Sequence, residues 1–287
     1  EWLGSHVYAA LGIPVHETVL GIRDGRIVCA CRDFTFPDSR LVNFHDLKNS
    51  LSDDEPGFTE DASTGSGVVL ADVRSAIHRI PVLRSIDGVS DRFWDMFVVD
   101  AFIRNIDRNN TNWGVLRNPR GEFSLAPVYG NGNSFNNKRT ESGIERRLAN
   151  PDLIRQDALD VRSCYVTDRG KPIAPLKYLA SGQDEECTKA LDRFMERYDP
   201  RSFHDLLDSI PSMSHGLTVV PDGFHEYHRR VCDYRYEHAF MEAWRELHPT
   251  VGFPSSPEAS VPEPLPDPDP SVLPSSSVPT CFGGPGM

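Results

Sequence analysis

The stretch Asn105-Ile106-Asp107-Arg108-Asn109-Asn110-Thr111-Asn112 decides how this chain is read. Ahead of it runs FWDMFVVDAFI, apolar on nearly every side, which predicts a buried helix over roughly 91–104 with Ser90 or Asp91 as its cap. Behind it, short strands around 113–117 and 123–127 flank the turn Asn118-Pro119-Arg120-Gly121. A rigid helix that ends in an Asp/Asn-rich loop is what a precisely held polar site requires. Asp95 and Asp100 lie inside the apolar helix, where carboxylates need partners. Each reads by default as a structural carboxylate bonded to backbone or a neighbouring loop, with Asp100 as a brace for the loop that follows it the alternative.

Working outward, residues 1–12 read as a helix with Leu3, Val7, Ala10 and Leu11 on one face, closed by Gly12 and Pro14. Residues 15–23 and 26–31 read as strands around Asp24-Gly25, a strong hairpin signal. Residues 52–67 are acidic and Gly/Ser-rich and read as a loop. Thr64-Gly65-Ser66-Gly67 within it lacks the Gly-Lys-Ser/Thr ending of a phosphate loop and reads as a linker. Helices are predicted over about 184–197, 200–209 and 222–247. Residues 249–287 hold 11 of the 23 prolines, four acids and no base, a composition that predicts disorder.

The bulk numbers narrow the function classes. A chain of 287 residues with 39% hydrophobic residues supports a real core. Its formal charge of -12 argues against direct nucleic-acid binding, which needs a basic surface. Lys138, Arg139, Arg146 and Arg147 form a local basic cluster, open to a substrate or a phosphorylated residue, although a solvated loop is the plainer reading. Six scattered cysteines read as reduced thiols of a cytoplasmic protein. No apolar run approaches the roughly 18 residues of a membrane span. His225, His228 and Cys232 share a helix face but lack an obvious further ligand, so an ordinary half-buried helix is favoured over zinc.

Asp107 and Asn112 are five residues apart, the spacing of a phosphoryl-transfer catalytic loop. By itself the spacing is also that of a polar turn. The second stretch, Leu125-Ala126-Pro127-Val128-Tyr129-Gly130-Asn131-Gly132-Asn133-Ser134, supplies the context. Together the two resemble the HipA-like serine/threonine kinases, whose patterns are N-x-D-R-H-x-x-N-x-G-x-L and L-A-P-x-Y-D-x-G-S-S. Asn105, Asp107, Arg108, Asn112, Gly114 and Leu116 match the first. Leu125, Ala126, Pro127, Tyr129, Gly132 and Ser134 match the second.

The resemblance implies an α+β, protein-kinase-like fold. Residues 1–33 would be a remnant of the small β lobe, 34–248 a mostly helical large lobe, and 249–287 a Pro-rich tail. It implies ATP and magnesium, transfer to a protein Ser/Thr hydroxyl, and an antitoxin-type protein partner. Asp107 matches the catalytic base and Asn112 a metal ligand. Glu1 matches the helix glutamate that pairs with a phosphate-binding lysine, although a first-turn surface glutamate reads the same way. Cys31 and Asp33 fall in the hinge against which adenine would lie. Three departures stand out. Gly130 occupies the position of the metal-binding Asp. Asn109 replaces a His. The glycine-rich loop and lysine strand would lie before residue 1, since the chain opens inside a helix without Met. An impaired kinase and a degenerate kinase-fold binding module both follow from these departures.

Overall fold

A computed structural model describes residues 1–52 and 67–249. The reading of 52–67 as a loop and of the tail as disordered falls almost wholly outside them. The described residues lie within one compact unit of the chain, Glu1–Ser256. Helix α1 (Trp2–Ala10) buries Leu3, Val7 and Tyr8. Strands β1 (Thr18–Arg23) and β2 (Arg26–Cys31) pair antiparallel across Asp24 and Gly25, both at positive φ (51° and 69°). That is the backbone of a primed two-residue hairpin turn, and it explains the Asp-Gly choice.

Strand β3 (Arg40–Asn43) leads into α2 (Phe44–Ser52). Short β4 (Val68–Val69), α3 (Leu70–Arg79) and α4 (Pro81–Arg84) follow. The central helix α5 (Val89–Ile103) comes next, with eleven buried residues among its fifteen. The expected cap is corrected: Gly88, in the left-handed region, occupies the N-cap, and the Ser90 hydroxyl instead donates to Glu186 Oε1 (2.7 Å). Only glycine takes that conformation at no steric cost, and here it sets the entry angle of the helix.

Strands β5 (Gly114–Arg117) and β6 (Phe123–Leu125) form the predicted hairpin, and β3 pairs with the other edge of β5. Gly114 is needed there: a Cβ would lie 2.3 Å from the Val42 carbonyl oxygen, so the β3–β5 approach admits no side chain. An isolated bridge, Val15 with Val128, ties the segment after α1 to the segment after β6.

The rest is helical: α6 (Glu141–Leu148), α7 (Pro151–Leu159), strand β7 (Tyr165–Val166) parallel to β4, then α8 (Pro175–Ser181), α9 (Glu185–Arg197) and α10 (Pro200–Asp208). After strands β8 (Met213–Ser214) and β9 (Leu217–Thr218), α11 (Phe224–Arg235) runs through a π turn at Tyr236–Phe240 into α12 (Met241–Leu247). Helix α5 is sheathed by aromatic rings. Phe102 alone meets Phe194, Tyr198, Phe203 and Phe240 at centroid distances of 4.7–5.7 Å. Burial of this kind, on the order of 25 cal/mol per Å² of apolar surface, makes α5 a fixed platform for the loop that leaves its end.

Candidate active site

The loop departs at Arg104, which closes α5 in the left-handed conformation (φ 57°). The next turn is organised by a single guanidinium. Arg108, 2% exposed, donates to both oxygens of Asp100: Nε to Oδ2 at 2.7 Å and Nη2 to Oδ1 at 3.1 Å. It also donates to the backbone oxygens of Asn112 (2.8 Å) and Tyr129, and to Asn131 Oδ1 (2.5 Å). Burial works against its charge, but Asp100 beside it outweighs that cost and holds the group firmly protonated. Asp100 takes two further donors on Oδ1, the Tyr8 hydroxyl (2.7 Å) and the Asn105 amide (3.1 Å). The brace reading of Asp100 is therefore the one the structure bears out. A buried carboxylate with four donors is fully compensated, which is the condition for tolerating a charge there.

One end of this brace presents Asp107. Its Oδ1 accepts from the Asn109 amide and its Oδ2 from the Asn133 amide, each at 2.8 Å, and the residue is half-buried. The Asn112 amide nitrogen donates back to the Asp107 carbonyl at 2.5 Å. The Asn112 side chain packs against residue 130: a Cβ built on Gly130 would lie 3.0 Å from its Cγ and 3.1 Å from its Cβ and Oδ1. Gly130 is at φ +72°. Residues 107, 112 and 130, separated in sequence, thus share one small volume.

Glu1 closes another side. Its Oε1 accepts from the Asn131 backbone N–H (2.9 Å) and from His16 Nε2 (2.8 Å). Burial pushes the Glu1 carboxyl up, but the His16 and Asn131 hydrogen bonds outweigh it and the net shift is downward. The first-turn surface reading of Glu1 is corrected: its carboxylate is turned onto the 130–132 segment, with Oε2 3.2 Å from where a Gly132 Cβ would sit. Asn131 is wholly buried and bonds Ser5 Oγ (3.0 Å) as well as Arg108, so its amide faces the brace. At the end of β2, Cys31 is exposed as a residue, and partial desolvation of its sulfur together with neighbouring Cys29 pushes its thiol up to about 11. Asp33 accepts from the backbone and hydroxyl of Thr35 (2.8 and 2.6 Å). The adjacent Phe34 ring lies 5.6 Å from Tyr129.

The donor set at 130 suits a magnesium ion poorly. A hard divalent cation takes carboxylate oxygens. Gly130 supplies none, and Asn112 Oδ1 is a neutral ligand. Among the described residues no group of three or more His, Cys, Asp or Glu side chains is arranged to hold a metal. Elsewhere, His225 Nε2 bonds the Ile210 carbonyl oxygen (2.8 Å), and His228 packs edge-on against Phe224 at 4.3 Å. Asp95 pairs with Arg193 (2.7 Å).

Some of this was beyond the reach of the sequence. The Arg108 hub, the inward turn of Asn131 and the Glu1–His16 contact join residues far apart in the chain. An arginine directly following an aspartate in a polar loop was the available signal.

An apolar, aromatic-sheathed helix that delivers a braced Asp–Asn loop onto a second polar turn, beside small antiparallel sheets, defines a protein-kinase-like α+β fold. The chain is a homologue of the serine/threonine-protein kinase CtkA of Helicobacter pylori strain J99, with 33% identity over 216 residues. That match covers 75% of this chain and 64% of the relative, so the chain spans just under two thirds of the curated relative's length. The crystal structure of the H. pylori proinflammatory kinase CtkA superimposes with a TM-score of 0.77 at 28% identity, covering 88% of this chain and 87% of that one. A Shewanella oneidensis complex of the toxin–antitoxin proteins HipA and HipB with operator DNA aligns at a TM-score of 0.44 and 14% identity. No family model matches the chain. The resemblance to serine/threonine kinases carried by the two motifs is thereby borne out, as is the α+β fold class. Among the described residues no helix is long and apolar enough to cross a membrane.

Proposed function

We propose that this chain carries the catalytic half of an ATP-dependent serine/threonine kinase whose metal-binding arm is incomplete. The observation that supports it best is the convergence of Asp107, Asn112 and Gly130, with Asp107 held by two amides and the Asn112 side chain packed against residue 130. In this reading the acceptor hydroxyl oxygen bonds the γ-phosphorus of ATP as the bond to the β–γ bridging oxygen breaks. ADP leaves, and the hydroxyl proton passes to Asp107. The two amide donors orient the carboxylate, so that positioning supplies most of the effect. Residues 1–33 form the small-lobe part, with Glu1 at the phosphate end and Cys31–Asp33 at the adenine end, and 34–248 form the large lobe.

Magnesium belongs to the same reading, and so does impairment. Loss of one preorganised electrostatic group costs on the order of 10²–10³ in rate, and a missing metal carboxylate costs at least that. An antitoxin-type protein partner follows from the motif resemblance alone, and a cytoplasmic location from the scattered cysteines. Gly130 also favours a second reading, a degenerate kinase-fold module that binds without transferring. The deciding measurement is thermal unfolding of the whole gene product with and without ATP and magnesium. A rise in Tm that grows with ATP concentration supports nucleotide binding, and no rise at millimolar ATP removes the kinase reading. Phosphate transfer to protein then separates the two readings.

A further inference from the structure

Beside Asp107 lies an open basin of about 480 Å³ that the proposed chemistry does not use. Arg104, Lys138, Arg139, Arg146 and Arg147 line it, and no acidic side chain is among its lining residues. Five cations around one basin are unusual in a chain of net charge -12. They are also organised. Arg139 Nη2 (2.9 Å) and Arg147 Nε both donate to Asp157 Oδ2, to which the Tyr227 hydroxyl donates as well (2.6 Å). One carboxylate therefore fixes two guanidinium groups and cannot neutralise both. Lys138 and Arg146 are exposed and make no ion pair among the described residues. The basin reaches the candidate site through Asn133, which lines it and donates to Asp107 Oδ2 (2.8 Å), and through half-exposed Ile106 next to Asp107.

We infer that this basin docks an acidic polypeptide segment beside Asp107. Resting on the kinase reading, that segment is the acidic flank of the acceptor serine or threonine. Guanidinium forks bind carboxylates with charge-assisted, bidentate geometry, and a concave patch focuses its field against the negative charge of the remaining surface. A peptide fits better than a nucleic acid, because the cations are confined to one basin instead of forming a stripe along a phosphate backbone. Ile106 offers the apolar contact a peptide side chain would use.

The test is fluorescence anisotropy with the whole protein and labelled serine peptides of equal length, flanked by Asp/Glu, by Ala or by Lys, with a single-stranded oligonucleotide as competitor. Acidic flanks are expected to tighten binding at least tenfold over Ala flanks, and the gain shrinks as salt rises. The double variant Lys138→Glu/Arg146→Glu is expected to abolish the preference with Tm unchanged, since neither side chain supports the fold. Equal affinity for acidic and Ala peptides overturns the inference, as does a preference that survives the double variant. An oligonucleotide that displaces the acidic peptide at equal concentration overturns it in favour of a phosphate-backbone ligand. Peptide binding needs no nucleotide, so the outcome is separable from the kinase reading. An acidic preference without ATP stabilisation leaves the basin and removes the acceptor role, and ATP stabilisation without the preference does the reverse.

Discussion

Asp100, near the end of the central helix, and Arg108, in the loop beyond it, form a buried ion pair through two contacts of 2.7 and 3.1 Å. Through the three further bonds of Arg108, this pair locks the Asp107 loop to the segment at 129–131. Asp100→Ala leaves an unpaired guanidinium in the core. It is expected to cost about 3–5 kcal/mol in chemical denaturation. A loss below about 1 kcal/mol would mean that the loop is held by other contacts.

Asp107→Ala removes the proposed base but only two amide hydrogen bonds at a half-buried site. Phosphate transfer is expected to vanish while stability changes by about 1 kcal/mol or less. Radiolabel transfer and thermal melts on the same preparation check both halves. Retained transfer would remove Asp107 from the chemistry.

Gly130→Asp restores a carboxylate at the second turn. The backbone there is left-handed, a region that Asp tolerates better than most residues, and the new Cβ would press on Asn112 Cγ at 3.0 Å. A stability loss of about 1 kcal/mol is expected. Magnesium-dependent transfer should rise by about 10² or more. Equal rates for the two forms would show that the site does not depend on this ligand.

Acid is expected to destabilise the fold through His228. Burial first, then the positive Arg235, Arg139 and His225, push its imidazole from an ordinary value of 6.5 down to about 3. The unfolded chain therefore takes up a proton that the folded protein refuses. This contribution is complete above about pH 6.5 and is lost at about 1.4 kcal/mol per pH unit as pH falls toward 3. His228→Phe keeps a ring against Phe224 and Phe135 and should flatten that slope. Denaturant midpoints between pH 7 and pH 4 test it, and parallel slopes in both proteins would rule His228 out.

Local chemistry was enough to read much of this molecule. The all-round apolar character of 93–103 announced a buried helix, Asp24-Gly25 a hairpin, and Asn118–Gly121 the turn between β5 and β6, because each signal acts within a few residues. Pairing two polar motifs likewise brought out the kinase resemblance. Helices α6 and α7 went unread although Thr140 and Asn150 cap them, since their apolar faces are narrow and pack on α11. Tertiary structure alone decided that Asp100 serves the loop, that Asn131 turns inward, that Glu1 meets the 130–132 segment, and that the basic cluster at 138–147 joins Arg104 beside Asp107. These relationships depend on distances between residues up to 130 positions apart. Such distances are set by how the elements pack, and no local pattern in the chain encodes them.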